Sequence, residues 1–566
     1  MIYRIEVQPR PGTPDVRGSE ALSRAHSAGF SQLRSVGVAD LFFLKGELAP
    51  NELDRLCRFL LHDEVTEVIA CSPLETSADE VHGIEVAPRP GVTDSVAESL
   101  LAAAHLSGFL SLEKVATGTR YQLDGDLSPE DLTRLASSVL VNEVIHTFRV
   151  GGRVTPPFVP GQGSDETIEI IPLRELDSAK LTQLSRERRL SLSYDEMQTI
   201  QKWYRTESRD PTDLELEMFA QTWSEHCVHK TFRALIHYHE ITPDGEHVEH
   251  IEGILKQYIK SATEKLDRPY VVSAFVDNAG IVRFDDNFDL AFKVETHNRP
   301  SAVEPFGGAN TGVGGVIRDV LGVSARPVAN TDVLCFGPPD FPADLVPMGR
   351  LHPRRVAEGV IRGVGDYGNK MGIPTVSGAI IYDRGYLTNP LVFCGCVGIL
   401  PRGSHPRSPQ VGDHIVALGG RTGRDGLRGA TFSSMEMDHE TGLIAGTAVQ
   451  IGHPIHEKQV QEVVLVARDR QLYTAITDCG AGGFSSAVGE MAADLGADIQ
   501  LKGIPLKYEG LRPWEMWLSE AQERMVMAVP EASLPALAQV CDDHGVEWVS
   551  LGHFTGTGRL KVSYGE

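Results

Sequence analysis

The segment KVETHNRPSAVEPFGGANTGVGGVIRDV, residues 293–320, carries most of the information about the fold of this chain. Its opening alternation of apolar and polar residues predicts a strand whose tip is Glu295, and the glycines that follow predict a helix that begins at Val316. A strand end followed by glycines and a helix start directs backbone N–H groups and a positive helix dipole at one spot. With Asp319 one turn into that helix, the two carboxylates suit a divalent cation that carries phosphate oxygens.

Two further segments add chemistry of the same kind. TWSEHCVHK, residues 222–230, places His226 beside Glu225, where an imidazole can transfer protons near pH 7. AITDCGAGGFSS, residues 475–486, repeats the order of strand, carboxylate, small residues and helix. The repetition favours Asp478 as a second metal ligand over an ordinary turn residue.

A fourth segment, LSEAQERMVMAV, supplies amide and carboxylate groups before a strand. Alternation puts the side chains of Glu520 and Gln522 on one face, and Gln450 can join them as an amide. The sequence contains no GxxxxGK[ST] motif, and GVGDYG at residues 363–368 follows a helical pattern, which makes it a weak dinucleotide signal. Together the four segments indicate metal–ATP chemistry on a fold without a P-loop, and they do not name the substrate.

The composition limits the partners and the compartment. A net charge of −24 without a Lys/Arg block disfavours binding to nucleic acid or to an anionic membrane. The N-terminal residues lack the apolar stretch of a signal peptide, and the eight scattered cysteines suggest neither a disulfide framework nor a zinc site. We therefore expect a cytoplasmic protein.

The first 150 residues contain an internal duplication. IEVQPRPG at Ile5 recurs as IEVAPRPG at Ile84, an offset of 79 residues that continues without a gap through both copies. Each copy predicts the ferredoxin-like order β-α-β-β-α-β, with a pair of short strands across residues 33–48 of the first copy. We expect one copy to cover the open sheet face of the other, as an assembly module without catalytic residues.

Several motifs resemble those of formylglycinamide ribonucleotide amidotransferase (phosphoribosylformylglycinamidine synthase), a purine-biosynthesis family related to aminoimidazole ribonucleotide synthetase. They are WSEHC, KVETHN, GANTGVGGVIRDV, GDYGNKMGIPTVSG, GRTGRDGLRGATFSS and the Glu-Ala-Gln-Glu-Arg stretch at 520–524. The duplicated modules resemble the family's small accessory subunit, fused in tandem. The resemblance spans almost the whole chain and implies that ATP phosphorylates the amide oxygen of formylglycinamide ribonucleotide, after which ammonia displaces phosphate and yields the amidine.

The resemblance also implies roles for single residues. It makes His226 the active-site histidine and His297 the proton acceptor, with Mg²⁺ as the metal and ATP as a substrate. The implied ligands are Glu295 for one magnesium ion, and Asp319 and Asp478 for a second. The implied substrate-binding residues are Thr296, His297, Asn298, Arg299, Arg318, Gln450, Glu520, Ala521 and Gln522, and the implied nucleotide-contacting residues are His229 and Lys293.

Four positions depart from the family's usual residues. Arg299 stands in place of His, His229 in place of Tyr, His453 in place of Asp, and Ala521 in place of Ser. Arg299 can still hold an anion, and His229 can stack on a base with less area than Tyr.

The resemblance predicts a fold of α+β and α/β domains in a definite order. Two ferredoxin-like modules precede a helical linker, which leads to an aminoimidazole ribonucleotide synthetase-like pair of N-terminal and C-terminal α/β domains. The expected divisions are 1–75 and 80–150 for the two accessory-subunit-like repeats, 151–265 for the linker with the SEHC helix, 266–403 for the ATP and metal domain, and 404–566 for the C-terminal-type domain.

The family's catalytic unit has two similar halves, and this chain resembles the first half. No glutaminase domain is recognised in the sequence. The resemblance therefore implies two partners: a second-half synthetase chain and a glutaminase subunit that delivers ammonia. Two other hypotheses stay open at this point, namely a half-size homodimeric ATP enzyme of the same superfamily and a non-catalytic scaffold subunit.

Overall fold

The chain divides into two compact units, Met1–Pro160 and Gly161–Glu566. The computed structural model describes residues 1–73, 83–159, 165–428 and 450–565. The end of the motif GRTGRDGLRGATFSS, at 429–434, and part of the expected linker, at 160–164, lie outside these described residues. Within the described part, no helix is long and apolar enough to cross a membrane.

The described part of the N-terminal unit folds into an antiparallel sheet with the strand order β3-β1-β2-β5-β4-β6. Its strands are β1 Ile2–Pro9, β2 Leu33–Gly46, β3 Glu67–Pro73, β4 Gly83–Pro88, β5 Leu112–Gly125 and β6 His146–Val150. Its helices are α1 Val16–Ser27, α2 Pro50–Leu56, α3 Ser95–Leu106 and α4 Pro129–Leu135, with π-helical turns at Cys57–Leu61 and Ala136–Leu140. The same elements recur in both copies, as the duplication predicts.

One detail of each copy differs from the expectation. The pair of short strands expected at residues 33–48 is a single 14-residue strand, β2. It pairs with its counterpart β5 along the whole length, from Leu33 opposite Gly125 to Gly46 opposite Leu112. Gly37 and Asp40 favour a turn in isolation, but the other copy supplies hydrogen-bonding partners across them, so the strand continues.

The two copies share their cores as well as their sheet. Leu100 and Ala104 of the second copy's α3 pack with Ile5 and Leu44 of the first copy. The copies are therefore joined at strand edges into one body, and neither copy covers the open face of the other.

The second copy continues into a segment that covers part of the sheet. Val154 packs on Leu41 and Phe43 of β2. By the 79-residue offset, Leu41 and Phe43 correspond to Arg120 and Gln122, which instead line an open cavity of about 230 Å³. The two copies therefore present different surfaces at equivalent places.

The C-terminal unit begins with helices and a hairpin that lead into two sheets. The first elements are α5 Ser178–Glu187, α6 Tyr194–Glu207, α7 Asp213–Thr222, α8 Glu225–Val228, α9 Lys230–Arg233, β7 Leu235–Thr242, β8 Gly245–Glu252, a π-helical turn Leu255–Lys260 and α10 Ser261–Leu266. The first sheet has the order β13-β12-β14-β11-β10-β9, in which β12 and β13 run parallel. Its elements are β9 Val271–Ser273, β10 Gly280–Arg283, β11 Phe288–Thr296, α11 Asn298–Val303, α12 Pro305–Gly322, β12 Arg326–Phe336, α13 Pro353–Met371, β13 Thr375–Tyr382 and β14 Leu391–Pro401.

The second sheet has the order β16-β18-β15-β19-β17-β20, in which β17 and β20 run parallel. Its elements are β15 His414–Gly419, α14 Pro454–Asp469, β16 Ala475–Asp478, α15 Gly483–Met491, β17 Ala497–Gln500, α16 Pro513–Leu518, β18 Arg524–Val529, α17 Leu534–His544, β19 Trp548–Phe554 and β20 Leu560–Ser563. Short 3-10 turns occur at Ala343–Leu345, Arg384–Tyr386 and Glu531–Ser533. One apolar core joins α12, α13 and α14 to both sheets, so the region between the sheets is rigidly held.

Helix α12 corrects one sequence-based prediction. It begins at Pro305, and the glycines expected to precede a helix at Val316 lie inside it. A Cβ on Gly308 would overlap the backbone nitrogen of Ser301, and a Cβ on Gly312 would lie 2.9 Å from the Cβ of His297. The glycines therefore allow the helix to pack closely against the segment after β11. Asp319 consequently lies in the last turns of α12, away from the positive end of its dipole.

The first sheet of the C-terminal unit carries exposed apolar side chains on two of its strands, β11 and β13. Phe292 of β11 is 46% exposed, Val376 of β13 is 65% exposed and Ile380 of β13 is 51% exposed. Strand β13 also forms an edge of the sheet, with one neighbour among the described strands. A large apolar surface next to an open strand edge is typical of a surface that a partner covers.

Candidate active site

Two adjoining cavities lie between the sheets of the C-terminal unit. Their volumes are about 470 Å³ and about 970 Å³, and we call them the first and second cavities. Both are lined by the side chains or backbone of His226, Glu295, Thr296, Asp319, Asp478, Gly480 and Ala481. Ligands bound in the two cavities would be in contact at this shared wall. The wall contains Glu295, Asp319 and Asp478, the three carboxylates identified from the sequence.

The first cavity contains most of the residues predicted to bind substrate. It is lined, among others, by Thr296, His297, Asn298, Arg299, Arg318, Gln450, Glu520 and Gln522. Ala521 is the exception, since it is fully buried and does not line the cavity. Its N–H donates to the hydroxyl of Ser519 at 3.2 Å, which fixes the backbone between its two neighbours.

The side chains of Gln450, Glu520 and Gln522 form one hydrogen-bonded group. Gln450 Nε2 donates to Glu520 Oε2 at 2.6 Å, and Gln522 Nε2 donates to Gln450 Oε1 at 2.5 Å. Glu520 also accepts the N–H of Gly482 at 3.1 Å. The residues that follow α16 are thereby tied to the turn before α15, which stiffens this wall of the cavity.

The segment after β11 is held by backbone hydrogen bonds to β14. The N–H of His297 donates to the carbonyl of Val392 at 2.8 Å, and the Val392 N–H donates to the Asn298 side chain at 2.8 Å. Arg299 follows at the start of α11 and lines the first cavity. The predicted polar run is therefore anchored to β14 where β11 ends and α11 begins.

The carboxylates of the shared wall lie among few positive charges. Lys293 Nζ lies 3.2 Å from Asp319 Oδ2 and 3.5 Å from Glu295 Oε2. Burial, together with the neighbouring Asp478, raises the pKa of Asp319 well above its usual range. Burial likewise raises the pKa of Asp478. Without a cation, Asp319 and Asp478 are therefore biased toward their uncharged forms, because Lys293 cannot offset the charge of three ionised carboxylates.

This charge deficit fits a divalent cation. Within the described ranges, no three His, Cys, Asp or Glu side chains converge into a ready metal cage. Mg²⁺ is commonly held by one or two carboxylates together with substrate phosphates and water. Asp319 and Asp478 suit that kind of site, whereas a structural zinc site would need four protein ligands.

Both predicted histidines lie at the first cavity as neutral imidazoles. Burial lowers the pKa of His226 and lowers that of His297 to about 4. The Nδ1 atom of His297 is buried and has no hydrogen-bond partner among the residues that the structure describes. A neutral imidazole with a free nitrogen can accept a proton at pH 7.

The predicted nucleotide-contacting residues lie at the second cavity. His229 joins α8 to α9 in a left-handed conformation, with φ of 54°, and Lys293 lies on β11. The next residue after His229, Lys230, pairs with Glu196 of α6 at 2.6 Å and ties this turn to the helical segment. Burial raises the pKa of Cys227 to about 11, so its thiol stays protonated and is a poor nucleophile at pH 7.

The structure also reveals residues that the sequence reasoning missed. Asn278 donates to Asp478 Oδ1 at 2.6 Å and accepts from Thr477 at 3.1 Å, which fixes the orientation of this carboxylate. Asn389 lines the first cavity and Glu490 lines the second. The Asp-Asn-Ala-Gly segment that contains Asn278 is the feature of the sequence that could have indicated this residue. No local pattern connects it to Asp478 at the end of β16, which lies 200 residues further along the chain.

Comparison with family models gives four matches in chain order. They are phosphoribosylformylglycinamidine (FGAM) synthase of the PurS type at residues 82–153, the formylglycinamide ribonucleotide amidotransferase linker domain at 181–230, and the AIR synthase related protein N-terminal domain at 276–400 and C-terminal domain at 410–565. The fold class expected from the sequence is thereby confirmed. These matches define a chain of the AIR synthase-related class.

Individual relatives indicate the family within this class. The phosphoribosylformylglycinamidine synthase subunit PurL of Thermoplasma acidophilum is 39% identical over 398 residues, which are 70% of this chain and 49% of that protein. The PurL subunit of Picrophilus torridus is 40% identical over 379 residues, which are 66% and 47% of the two chains. A solved structure of T. maritima PurL complexed with FGAR is 33% identical, with a TM-score of 0.50 over 64% of this chain and 52% of that chain.

The chain belongs to the phosphoribosylformylglycinamidine synthase family, with PurL-like domains preceded by a PurS-type module. It spans about half the length of the curated relatives that it matches.

Proposed function

We propose that this chain is the synthetase component of a phosphoribosylformylglycinamidine synthase and that it helps to amidate formylglycinamide ribonucleotide with ATP and ammonia. The observation that carries the proposal is the pair of cavities that share a wall of three carboxylates and His226. Such a wall lets two anionic ligands react where their cavities meet. The T. maritima relative solved with FGAR supports the choice of substrate.

The proposed reaction has two steps. The amide oxygen of the substrate attacks the γ-phosphorus of ATP, the bond to the bridging oxygen breaks, and ADP leaves as the amide nitrogen loses its proton. Ammonia then attacks the amide carbon, the bond between that carbon and the phosphorylated oxygen breaks, and inorganic phosphate leaves with a proton from the former ammonia.

The chain's own residues would bind the substrates and move these protons. We assign formylglycinamide ribonucleotide to the first cavity and ATP to the second, where His229 and Lys293 would contact the nucleotide. His297 would accept a proton, since its imidazole is neutral and its Nδ1 is free. His226 lines both cavities and would therefore lie next to the phosphoryl group that passes from ATP to the substrate.

Mg²⁺ would be held by Glu295 for one ion and by Asp319 and Asp478 for a second, and when bound it would offset the charge of the phosphate groups. The raised pKa values of Asp319 and Asp478 support this assignment, because ionised carboxylates in this buried wall need more positive charge than Lys293 supplies.

The partners belong to the same proposal. A second-half synthetase chain would cover the exposed apolar side chains of β11 and β13, which include Phe292, Val376 and Ile380, and a glutaminase subunit would supply ammonia from glutamine. We place the complex in the cytoplasm, where the eight free cysteines would stay reduced.

A His297→Ala variant tests the chemical role directly. The complex of the full chain with its partners should lose about 10²–10⁴ in turnover with ammonium as nitrogen donor, because a positioned proton acceptor is removed. A His544→Ala variant, altered at the far end of α17, should keep wild-type turnover. Near-normal activity of His297→Ala would refute the assigned role, and absence of turnover in the wild-type complex would favour a scaffold.

A further inference from the structure

A buried cluster of polar side chains lies directly behind Arg318. Nη1 of Arg318 donates to Oε2 of Glu457 at 2.9 Å, and Nη2 donates to Oε1 of Gln522. The hydroxyl of Tyr367 contacts Glu457 at 2.5 Å and Glu523 at 3.0 Å. The Arg318 side chain is 3% exposed and that of Glu457 is 0% exposed, so water takes almost no part in this cluster.

The members of the cluster come from separate elements. Arg318 lies on α12, Tyr367 on α13 and Glu457 on α14, while Glu523 lies in the turn before β18. Three helices and a strand end therefore contribute to one buried cluster around the pair of Arg318 and Glu457. The Glu457 carboxylate alone contacts two of the other helices, since it accepts from both Arg318 and Tyr367.

Stability alone does not account for this arrangement. A buried ion pair loses so much hydration that well-packed apolar residues of similar volume often stabilise a fold equally well. Two atoms of the pair, Arg318 Nε and Glu457 Oε1, are also buried and have no hydrogen-bond partner in the described part of the chain, which is a further cost. Arg318 lines the first cavity, whereas Glu457, Tyr367 and Glu523 do not. The cluster therefore supports a group that faces the cavity.

We propose that Glu457 is a positioning residue that fixes the guanidinium group of Arg318 for the ligand of the first cavity. Tyr367 in turn orients Glu457, because its buried hydroxyl donates to that carboxylate. The inference rests on the proposed function in one respect: the ligand used as a probe is formylglycinamide ribonucleotide.

Variants of Glu457 can separate the position of the Arg318 guanidinium group from the charge of the carboxylate. Glu457→Gln keeps a carbonyl oxygen that can accept from Arg318, so it preserves the geometry. Glu457→Met has a similar volume and no strong acceptor, so it releases Arg318 without leaving a large cavity. Glu462→Met serves as the control, because Glu462 lies on the same helix, is 34% exposed at its side chain and pairs with Lys458.

The test measures binding of formylglycinamide ribonucleotide to the full chain by titration calorimetry. Glu457→Met should weaken binding about 10- to 100-fold, as expected for loss of a charge-assisted contact. Glu457→Gln should stay within about threefold of the wild type, and Glu462→Met should match it. A thermal melt of each variant verifies that it is folded, so a loss rescued by Gln reports on orientation and not on folding.

A crystal structure of Glu457→Met gives a readout that needs no substrate. The guanidinium group of Arg318 should leave its wild-type position in that structure. An unmoved Arg318, or unchanged binding in folded Glu457→Met, would overturn the inference. If the wild type fails to bind formylglycinamide ribonucleotide, the proposed function fails, and the position of Arg318 still decides the role of Glu457.

Discussion

At the scale of single residues, the requirements of the site oppose those of folding. Asp319 and Asp478 are acidic side chains placed in a buried wall, and burial raises the pKa of each. Carboxylates in such surroundings destabilise the folded chain when no cation is present. Their presence is understandable where a bound cation and phosphate later supply the missing charges.

This conflict yields a prediction for Asp319→Asn. The amide removes a buried charge but cannot replace a carboxylate ligand, so Mg²⁺-dependent turnover should be lost while the melting temperature of the metal-free chain stays equal or rises. Turnover against Mg²⁺ concentration and thermal melts without metal would measure the two effects.

Asp498→Asn is a matched control, since Asp498 is exposed and pairs with Lys561 at 3.4 Å. It should leave both turnover and the melting temperature nearly unchanged. An Asp319→Asn variant with normal Mg²⁺ dependence would contradict the assignment of this carboxylate.

Sequence patterns predicted the residues whose chemistry is visible locally. A strand tip with a carboxylate identified Asp478, and alternation placed Glu520 and Gln522 together with Gln450, as the hydrogen bonds of the structure show. Asn278 and Glu457 escaped notice because each acts through a contact with a distant part of the chain. Such contacts follow from tertiary packing, which no local pattern encodes.

At the scale of elements, α12 shows where local propensity misleads. Glycines normally weaken a helix by about 0.5–1 kcal/mol each, which is why a turn was expected before Val316. The helix forms because the glycines remove side chains where neighbours approach closely. The strand pair expected in each N-terminal copy was wrong for a related reason, since pairing between β2 and β5 overrides the turn preference of Gly37.

Close packing around α12 predicts opposite effects of two glycine substitutions. A Cβ on Gly314 would lie 2.7 Å from the Tyr367 ring, so Gly314→Ala should destabilise the chain by about 1–3 kcal/mol. At Gly365 in α13, no atom lies within 4 Å of the place that an alanine methyl group would occupy, so Gly365→Ala should stabilise the chain by about 0.5–1 kcal/mol. Denaturant unfolding of both variants would measure these values, and equal effects would contradict the packing argument.

At the scale of the whole molecule, the exposed apolar side chains of the first sheet in the C-terminal unit require an explanation. Side chains such as Val376 and Ile380 are more than half exposed on an edge strand. The partner proposal offers two ways to cover them: a homodimer that uses this surface twice, or a heterodimer with a second-half synthetase chain. A homodimer would repeat this chain's ligands and lack those of the other half, so we favour the heterodimer.

Association is therefore expected, and it can be measured. Sedimentation of the purified chain should show self-association or, with the second-half chain added, a heterodimer that gains turnover with ATP and ammonium. A Val376→Lys variant should weaken the association, because it buries a charge in the interface. A monomer with full turnover would refute the partner proposal.

The fused tandem of the N-terminal unit has a consequence for stoichiometry and divergence. Two separate modules would dissociate on dilution, whereas covalent linkage keeps the second module at a millimolar-range effective concentration. Linkage also allows the two copies to diverge in sequence. In a homodimer every substitution occurs in both modules, whereas in a duplicated chain one copy can change alone. The patch of Leu41 and Phe43 that Val154 covers differs in this way from the equivalent patch of Arg120 and Gln122. The unit therefore offers a binding partner two different patches on one face of its sheet, at a fixed ratio of one unit per chain.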